Sequence, residues 1–203
     1  MQSAEGRFTR WRSGSLVSLG LKEADLESAI VAQPGPLVLD QLDLLFDRVV
    51  VYDQRRLRSG AGHQSIPDVI ILTDHGDVVV VEVKRLGNPE LRGRSVVAQV
   101  VDYTATLSSA DEGALVSRFT GGKSKTWAEL CRAEFGHTQR PDALARRFQS
   151  RMAEAEIHLV IACDEAPEAL ADWVRAAGRQ SALSFDLHVV EVRPLVPSEG
   201  PRA

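Results

Sequence analysis

The chain has 203 residues, 44% hydrophobic and 26% charged, which is the composition of one globular domain with enough material for a full core. Its net charge of −4 excludes a chain that coats nucleic acid over its whole surface, and no apolar run reaches the length of a membrane span. The N-terminus lacks the apolar stretch of a secretory signal, and Cys131 and Cys163 have no metal-ligand spacing, so a cytoplasmic location is expected.

Residues 1–20 form a polar, basic arm, in which Leu16 to Leu19 reads as a short strand. Residues 22–33 read as a helix with Leu26 and Ile30 one turn apart, ended by Gln33-Pro34-Gly35-Pro36. Glu27 shares the face of Ile30 and Val31 and should point partly inward. Its bland role is an acid in a solvated first turn, and Glu23 is the alternative to it. Residues 37–46 are mixed, with room for one helical turn. Val49 to Tyr52 is a strand, and Asp53 to His63 is a loop carrying Arg55, Arg56 and Arg58.

Val69–Leu72 and Val78–Val83 are β-branched runs around Asp74-His75-Gly76, the signature of a hairpin. A three-residue loop closes with a left-handed residue, and Gly76 stands where one is needed. With that loop Thr73 faces Asp77, paired residue numbers sum to 150, and Asp68 lies opposite Glu82; a one-residue slip, which the apolar patterning of both strands leaves open, would put the two acids on opposite faces. Cβ atoms of facing residues are about 4.5–5.5 Å apart, where like charges repel, so the two carboxylates need a cation. Lys84 shares the face of Glu82, and a divalent cation would compensate more fully. Only four of the 24 basic residues are lysines, so a Lys at this position is informative.

Gly87-Asn88-Pro89 breaks the chain before a helix over about 90–107, whose buried stripe is Val96, Val97, Val100, Val101 and Thr104. Gln99 and Tyr103 share an adjacent face of that helix. Residues 118–151 hold eight basic and three acidic side chains, a net +5 that leaves −9 for the rest. Phe119-Thr-Gly-Gly-Lys-Ser124 lacks the first glycine of a phosphate-binding loop and follows no strand. Trp127–Phe135 and Ala143–Ala155 read as helices, with Arg146, Arg147 and Arg151 near one face of the second. Ile157–Ala162 is a buried strand, a helix runs from about Pro167 to Ala177, and Phe185–Val192 is the last strand. Residues 196–203 read as a flexible tail. The order of elements predicts an α/β domain with a mixed central sheet flanked by helices, spanning 21–195 with a basic insertion at 110–155.

Pro67-Asp68, then Glu82-Val83-Lys84, then Gln99-Val-Val-Asp-Tyr103 resembles the PD-(D/E)xK nuclease superfamily, in its RecB-like and NucS-like branches with a QxxxY motif. PD opens one strand, ExK closes the next, and QxxxY falls on the following helix. The resemblance extends more loosely over about residues 15–109, and again over Ile157–Leu195. It implies a restriction-endonuclease-like αβββαβ core, in which residues 1–20 form an arm or a small hairpin.

The resemblance also implies a metal-dependent nuclease acting on DNA, with RNA an open alternative, in repair, restriction or phage defence. Asp68, Glu82, Glu27 and the Val83 carbonyl would bind Mg²⁺ or Mn²⁺; Lys84 would orient the attacking water; Gln99 and Tyr103 would position a phosphate or a displaced strand. Arg55, Arg56, Arg58, Arg85, Lys123, Lys125, Arg146 and Arg147 are candidate contacts to the nucleic-acid backbone, and a homodimer is a candidate assembly. The rivals are a non-catalytic nucleic-acid-binding or assembly module on the same fold, and a structural protein in which Lys84 merely pairs with the acids.

Overall fold

The computed structural model describes residues 11–54, 57–58, 64–92, 95–136, 140–178 and 183–197. The first elements are β1 (Trp11–Ser13), α1 (Glu23–Ala32), α2 (Pro34–Leu37), β2 (Val49–Asp53), β3 (Leu57–Arg58) and β4 (Gln64–Ser65). Then come β5 (Val69–Thr73), β6 (Val78–Lys84), α3 (Ser95–Ser108), α4 (Glu112–Phe119), α5 (Trp127–Glu134) and α6 (Pro141–Glu154). The chain closes with β7 (His158–Cys163), α7 (Glu168–Ala177), β8 (Asp186–Glu191) and β9 (Leu195–Pro197). No helix among the described residues is long and apolar enough to cross a membrane.

Five strands form one mixed sheet in the order β2-β5-β6-β7-β8. The pairs β2–β5 and β5–β6 are antiparallel, and β6–β7 and β7–β8 are parallel. Helices cover both faces, which is why β5 and β6 are buried at every position and read as unbroken β-branched runs. Odd-numbered Val69, Ile71, Val79 and Val81 pack with Leu26 and Ile30 of α1. Even-numbered Ile70, Leu72, Val78 and Val80 pack with Val96, Val100, Tyr103 and Leu107 of α3.

The hairpin has the register its turn predicts, from Leu72↔Val78 to Val69↔Val81. Gly76 has φ 88°, and its N–H donates to the Thr73 carbonyl at 3.0 Å. The turn is held from α6: Arg147 Nη1 donates to the His75 carbonyl at 2.7 Å, and Arg151 donates to the Gly76 carbonyl at 3.1 Å and pairs with Asp77. A Cβ on Gly76 would stand 2.6 Å from Arg147 Cδ. Gly76→Ala should therefore cost about 1–2 kcal/mol, the left-handed penalty of an L-residue, with the displaced arginine adding to it. Urea denaturation measures this loss, and an unchanged midpoint would show that the turn tolerates a side chain.

Several expectations change. Leu16–Leu19 is not a strand: Val17–Leu19 is a 3₁₀ turn, because the Leu16 N–H is drawn to Asp164 Oδ2 at 2.7 Å and Leu16 enters the core. Residues 1–10 of the expected N-terminal arm or hairpin lie outside the described residues. β1 pairs with β9, so residues 196–197, expected in the flexible tail, belong to a strand. Pro197 sits at the end of a two-stranded ladder, where a missing N–H is tolerated. Residues 57–58 and 64–65 of the arginine-rich loop form a small ladder. The helix expected over 90–107 is a 3₁₀ turn at Pro89–Arg92 followed by α3. Its stripe is rotated, with Val101 36% exposed while Tyr103 and Leu107 are buried.

The basic segment is not appended to the domain. Its helices bring Phe119, Trp127, Phe135 and Phe148 into the core beneath α3. Tyr52–Phe119, Phe119–Trp127 and Trp127–Phe148 form an aromatic chain with centroid spacings of 5.3, 5.9 and 5.1 Å. Such pairs contribute beyond the area they bury.

Candidate functional site

The β5–β6 ladder ends at Val69↔Val81, and one step further places Asp68 opposite Glu82. There the strands part. Asp68 Oδ2 accepts the Val83 N–H at 2.7 Å. On a strand the N–H and C=O of one residue point to the same edge, so the Val83 carbonyl is aimed toward Asp68 as well.

Glu82 is 2% exposed and is the centre of the cluster. Its Oε1 lies 2.5 Å from Lys84 Nζ and accepts from Gln99 Nε2 at 2.8 Å. Its Oε2 accepts from the Tyr103 hydroxyl at 2.6 Å. That hydroxyl accepts from Gln99 Nε2 at 2.9 Å and lies 3.1 Å from the Ile66 carbonyl oxygen. Gln99 and Tyr103 reach one carboxylate together because they are one turn apart on α3, whose apolar residues seat it on the sheet. Lys84 Nζ also pairs with Glu90 Oε2 at 3.1 Å.

Burial, and then the charge of Asp68, hold the Glu82 carboxyl above its usual pKa, with Lys84 and Tyr103 offsetting part of the rise. Burial likewise raises Asp68, against the Val83 N–H and Lys84, with Glu27 and Glu23 adding to it. Burial disfavours the Lys84 ammonium, but Glu82 and Glu90 outweigh it, so its pKa lies above that of an ordinary lysine. Burial and Glu82 push the Tyr103 phenol up. Lys84 and Tyr103 are thus both protonated across the neutral range.

Glu27 comes from α1, on the other face of the sheet. Its Oε2 accepts from Gln54 Nε2 at 3.2 Å, and the Gln54 N–H donates to the Asp68 carbonyl at 2.8 Å. Gln54 holds φ 42°, which turns the chain out of β2 and lets one side chain link α1 to the strand entry. Glu23 is engaged differently: its Oε1 accepts the Arg85 N–H at 3.0 Å and Asn88 Nδ2 at 2.7 Å. Of the two acids, Glu27 acts more strongly on Asp68. Arg85 is exposed and, with Lys22 and Glu23, lines a cleft of about 470 Å³.

The other basic candidates are not gathered here. Arg147 and Arg151 hold the hairpin turn, at the opposite end of β5 and β6 from Asp68. Arg146 is exposed on α6. Lys123 and Lys125 are exposed between α4 and α5, with no ion pair to the cluster among the described residues. Arg55 and Arg56 lie outside the described residues, as does the side chain of Arg58. Sequence reasoning missed Gln54, Glu90 and Asp164. Asp164 is 1% exposed, and its Oδ1 and Oδ2 accept the N–H groups of Leu86 and Leu16 at 2.6 and 2.7 Å, tying down the chain after Lys84. No local pattern marks these three, because each acts on a partner distant in sequence or across a break.

The oxygens of Asp68, Glu82 and Val83 are hard donors on adjoining strands, the chemistry Mg²⁺ and Mn²⁺ prefer. Comparison of the chain with models of protein families, with curated proteins and with solved structures gives no match.

Proposed function

We propose that the chain is a metal-dependent nuclease that hydrolyses phosphodiester bonds in DNA, on a restriction-endonuclease-like core of the PD-(D/E)xK type. The observation that carries this reading is the convergence of Lys84, Gln99 and Tyr103 on the buried Glu82, with Asp68 beside it where the strands part. The core order of helix, three strands, helix, strand, helix and strand supports it.

Bound Mg²⁺ or Mn²⁺ would neutralise phosphate charge and acidify a water. Asp68, Glu82 and the Val83 carbonyl would hold the ion, with Glu27, whose charge acts on Asp68, as a further candidate ligand. Lys84 keeps its proton, so it acts as a fixed charge and hydrogen-bond donor, not as a base. Gln99 and Tyr103 hold Glu82 in place and leave it little rotational freedom. Arg85 is the nearest exposed cation in sequence and is suited to a backbone phosphate. The pathway, whether repair, restriction or defence against phage, lies beyond the chemistry of the site.

One observation favours a second reading. Glu82 already has three donors, one of them the cationic Lys84. In that reading the Glu82–Lys84 pair simply closes the core, and the chain binds nucleic acid or assembles without cutting. Single-stranded, duplex and flapped DNA incubated with Mg²⁺ or Mn²⁺ separates the two. The nuclease cuts at least one substrate and is stopped by EDTA, whereas the second reading yields no product from any.

A further inference from the structure

A second group of ligand atoms lies on the opposite face of the sheet. Residues β7 and β8 pair in parallel with His158↔Asp186 and Val160↔His188. Asp186 and His188 are two apart on β8, so all three side chains of His158, Asp186 and His188 share one face. It is the face of Val79, which pairs with His158, while Glu82 lies on the other face three residues further along β6. The two groups are therefore separated by roughly 10 Å of strand and by the sheet itself.

His158 Nδ1 stands 3.5 Å from Asp186 Oδ2, and one ligand atom from each of the three residues lies within 4.8 Å of the other two. The two imidazole rings are 5.8 Å apart. His158 Nδ1 and His188 Nε2 are both buried and neither has a hydrogen-bond partner. Buried polar atoms are seldom left so, since each forfeits the water it would otherwise bind. Two unpartnered imidazole nitrogens in a group that also brings a carboxylate within 4.8 Å point to an electron-pair acceptor as their partner.

The surroundings suit a cation. A cleft of about 240 Å³ opens beside the group, lined by Arg151, Glu156, His158, Ser184 and Asp186. Arg151 is neutralised by Asp77, which leaves Glu156 and Asp186 in excess. Burial lowers the pKa of both histidines, favouring the neutral imidazole that binds metals. Two imidazoles and one carboxylate select Zn²⁺ and its neighbours over Mg²⁺. The Asp186 side chain is 70% exposed and free to swing inward to the spacing of about 3.3 Å required around a tetrahedral ion. Glu156 or water completes the shell.

We propose that His158, His188 and Asp186 form a transition-metal site that takes Zn²⁺ and clamps the edge strand β8 to β7. The site is independent of the Asp68–Glu82 group and stands or falls apart from the nuclease reading. The test is titration of the untagged, metal-free chain with Zn²⁺ by calorimetry, and with Co²⁺ by visible absorption. The tightest equivalent should bind here, with the absorption of a four-coordinate nitrogen–oxygen site that the Asp68–Glu82 oxygens cannot give, and the melting temperature should rise. His188→Gln and Asp186→Asn should each weaken that tightest Zn²⁺ at least tenfold, while Asp68→Asn leaves its affinity and its Co²⁺ absorption unchanged. Melting of both variants without metal checks that they fold. Should Asp186→Asn prove unfolded, His188→Gln carries the test alone. Absence of binding by the folded chain, or binding unaltered in folded His188→Gln, would overturn the proposal.

Discussion

Lys84→Ala should lower the stability of the chain by about 3–5 kcal/mol, the cost of leaving one partner of a buried ion pair behind. Glu82 would keep its neutral donors Gln99 and Tyr103, but its charge would have no cation except the solvent it barely reaches. The deficit has a pH signature. Glu82 already titrates above the usual glutamate range, and without Lys84 it would titrate higher still. A group raised in the folded state contributes stability that is intact below its unfolded pKa and is lost as pH rises through the folded value. The variant should thus be close to wild type in acid and fall behind towards neutral pH. Glu82→Gln added to Lys84→Ala should restore most of the loss, since it removes the unpaired charge and leaves an amide within reach of the same donors. Urea denaturation at two pH values reads both effects. A Lys84→Ala deficit under 1 kcal/mol at neutral pH would mean that solvent screens Glu82 more than its burial suggests.

Asp68→Asn should abolish most DNA cleavage while leaving the fold at least as stable. Removal of one preorganised group from a reacting centre costs about two to three orders of magnitude in rate, and Asp68 has one hydrogen-bond partner where Glu82 has three. An asparagine carbonyl can still accept the Val83 N–H, so the hairpin keeps its end contact. Burial and the neighbouring acids make ionised Asp68 unfavourable, with a raised pKa. The neutral variant should therefore lose less stability than wild type as pH rises through that value. Cleavage timed under single turnover, beside melting curves, separates the two readouts. Full cleavage by Asp68→Asn would remove this residue from the chemistry.

The hairpin was legible in the sequence because its cause is local. Two β-branched runs and a glycine at the left-handed position set a register, and the register alone put Asp68 across from Glu82. Gln99 and Tyr103 were legible from helical spacing, although Tyr103 was expected on an adjacent face and is buried in the core stripe. What escaped was long-range. Arg147 and Arg151 look like solvated cations on a helix until α6 is laid across the turn at residues 74–77. β1 and β9 are each too short to announce themselves and exist because they meet from opposite ends of the chain. The phenylalanines and tryptophan of residues 118–151 were outweighed by that segment's charge, though they anchor it in the core.

The measurement closest to the central claim is the melting temperature as a function of Mg²⁺ concentration, for wild type and Asp68→Asn. Mg²⁺ is chosen because an imidazole-rich site takes it poorly, which keeps the His158 group silent. A ligand that binds only the folded chain stabilises it by mass action, by about 2.7 kcal/mol at a hundred times its dissociation constant. A metal centre at Asp68 and Glu82 predicts a wild-type melting temperature that climbs with Mg²⁺ and an Asp68→Asn curve that stays nearly flat. A wild-type curve flat at millimolar Mg²⁺, or an equal rise in both proteins, would contradict it and leave Lys84 as the only cation that Glu82 requires.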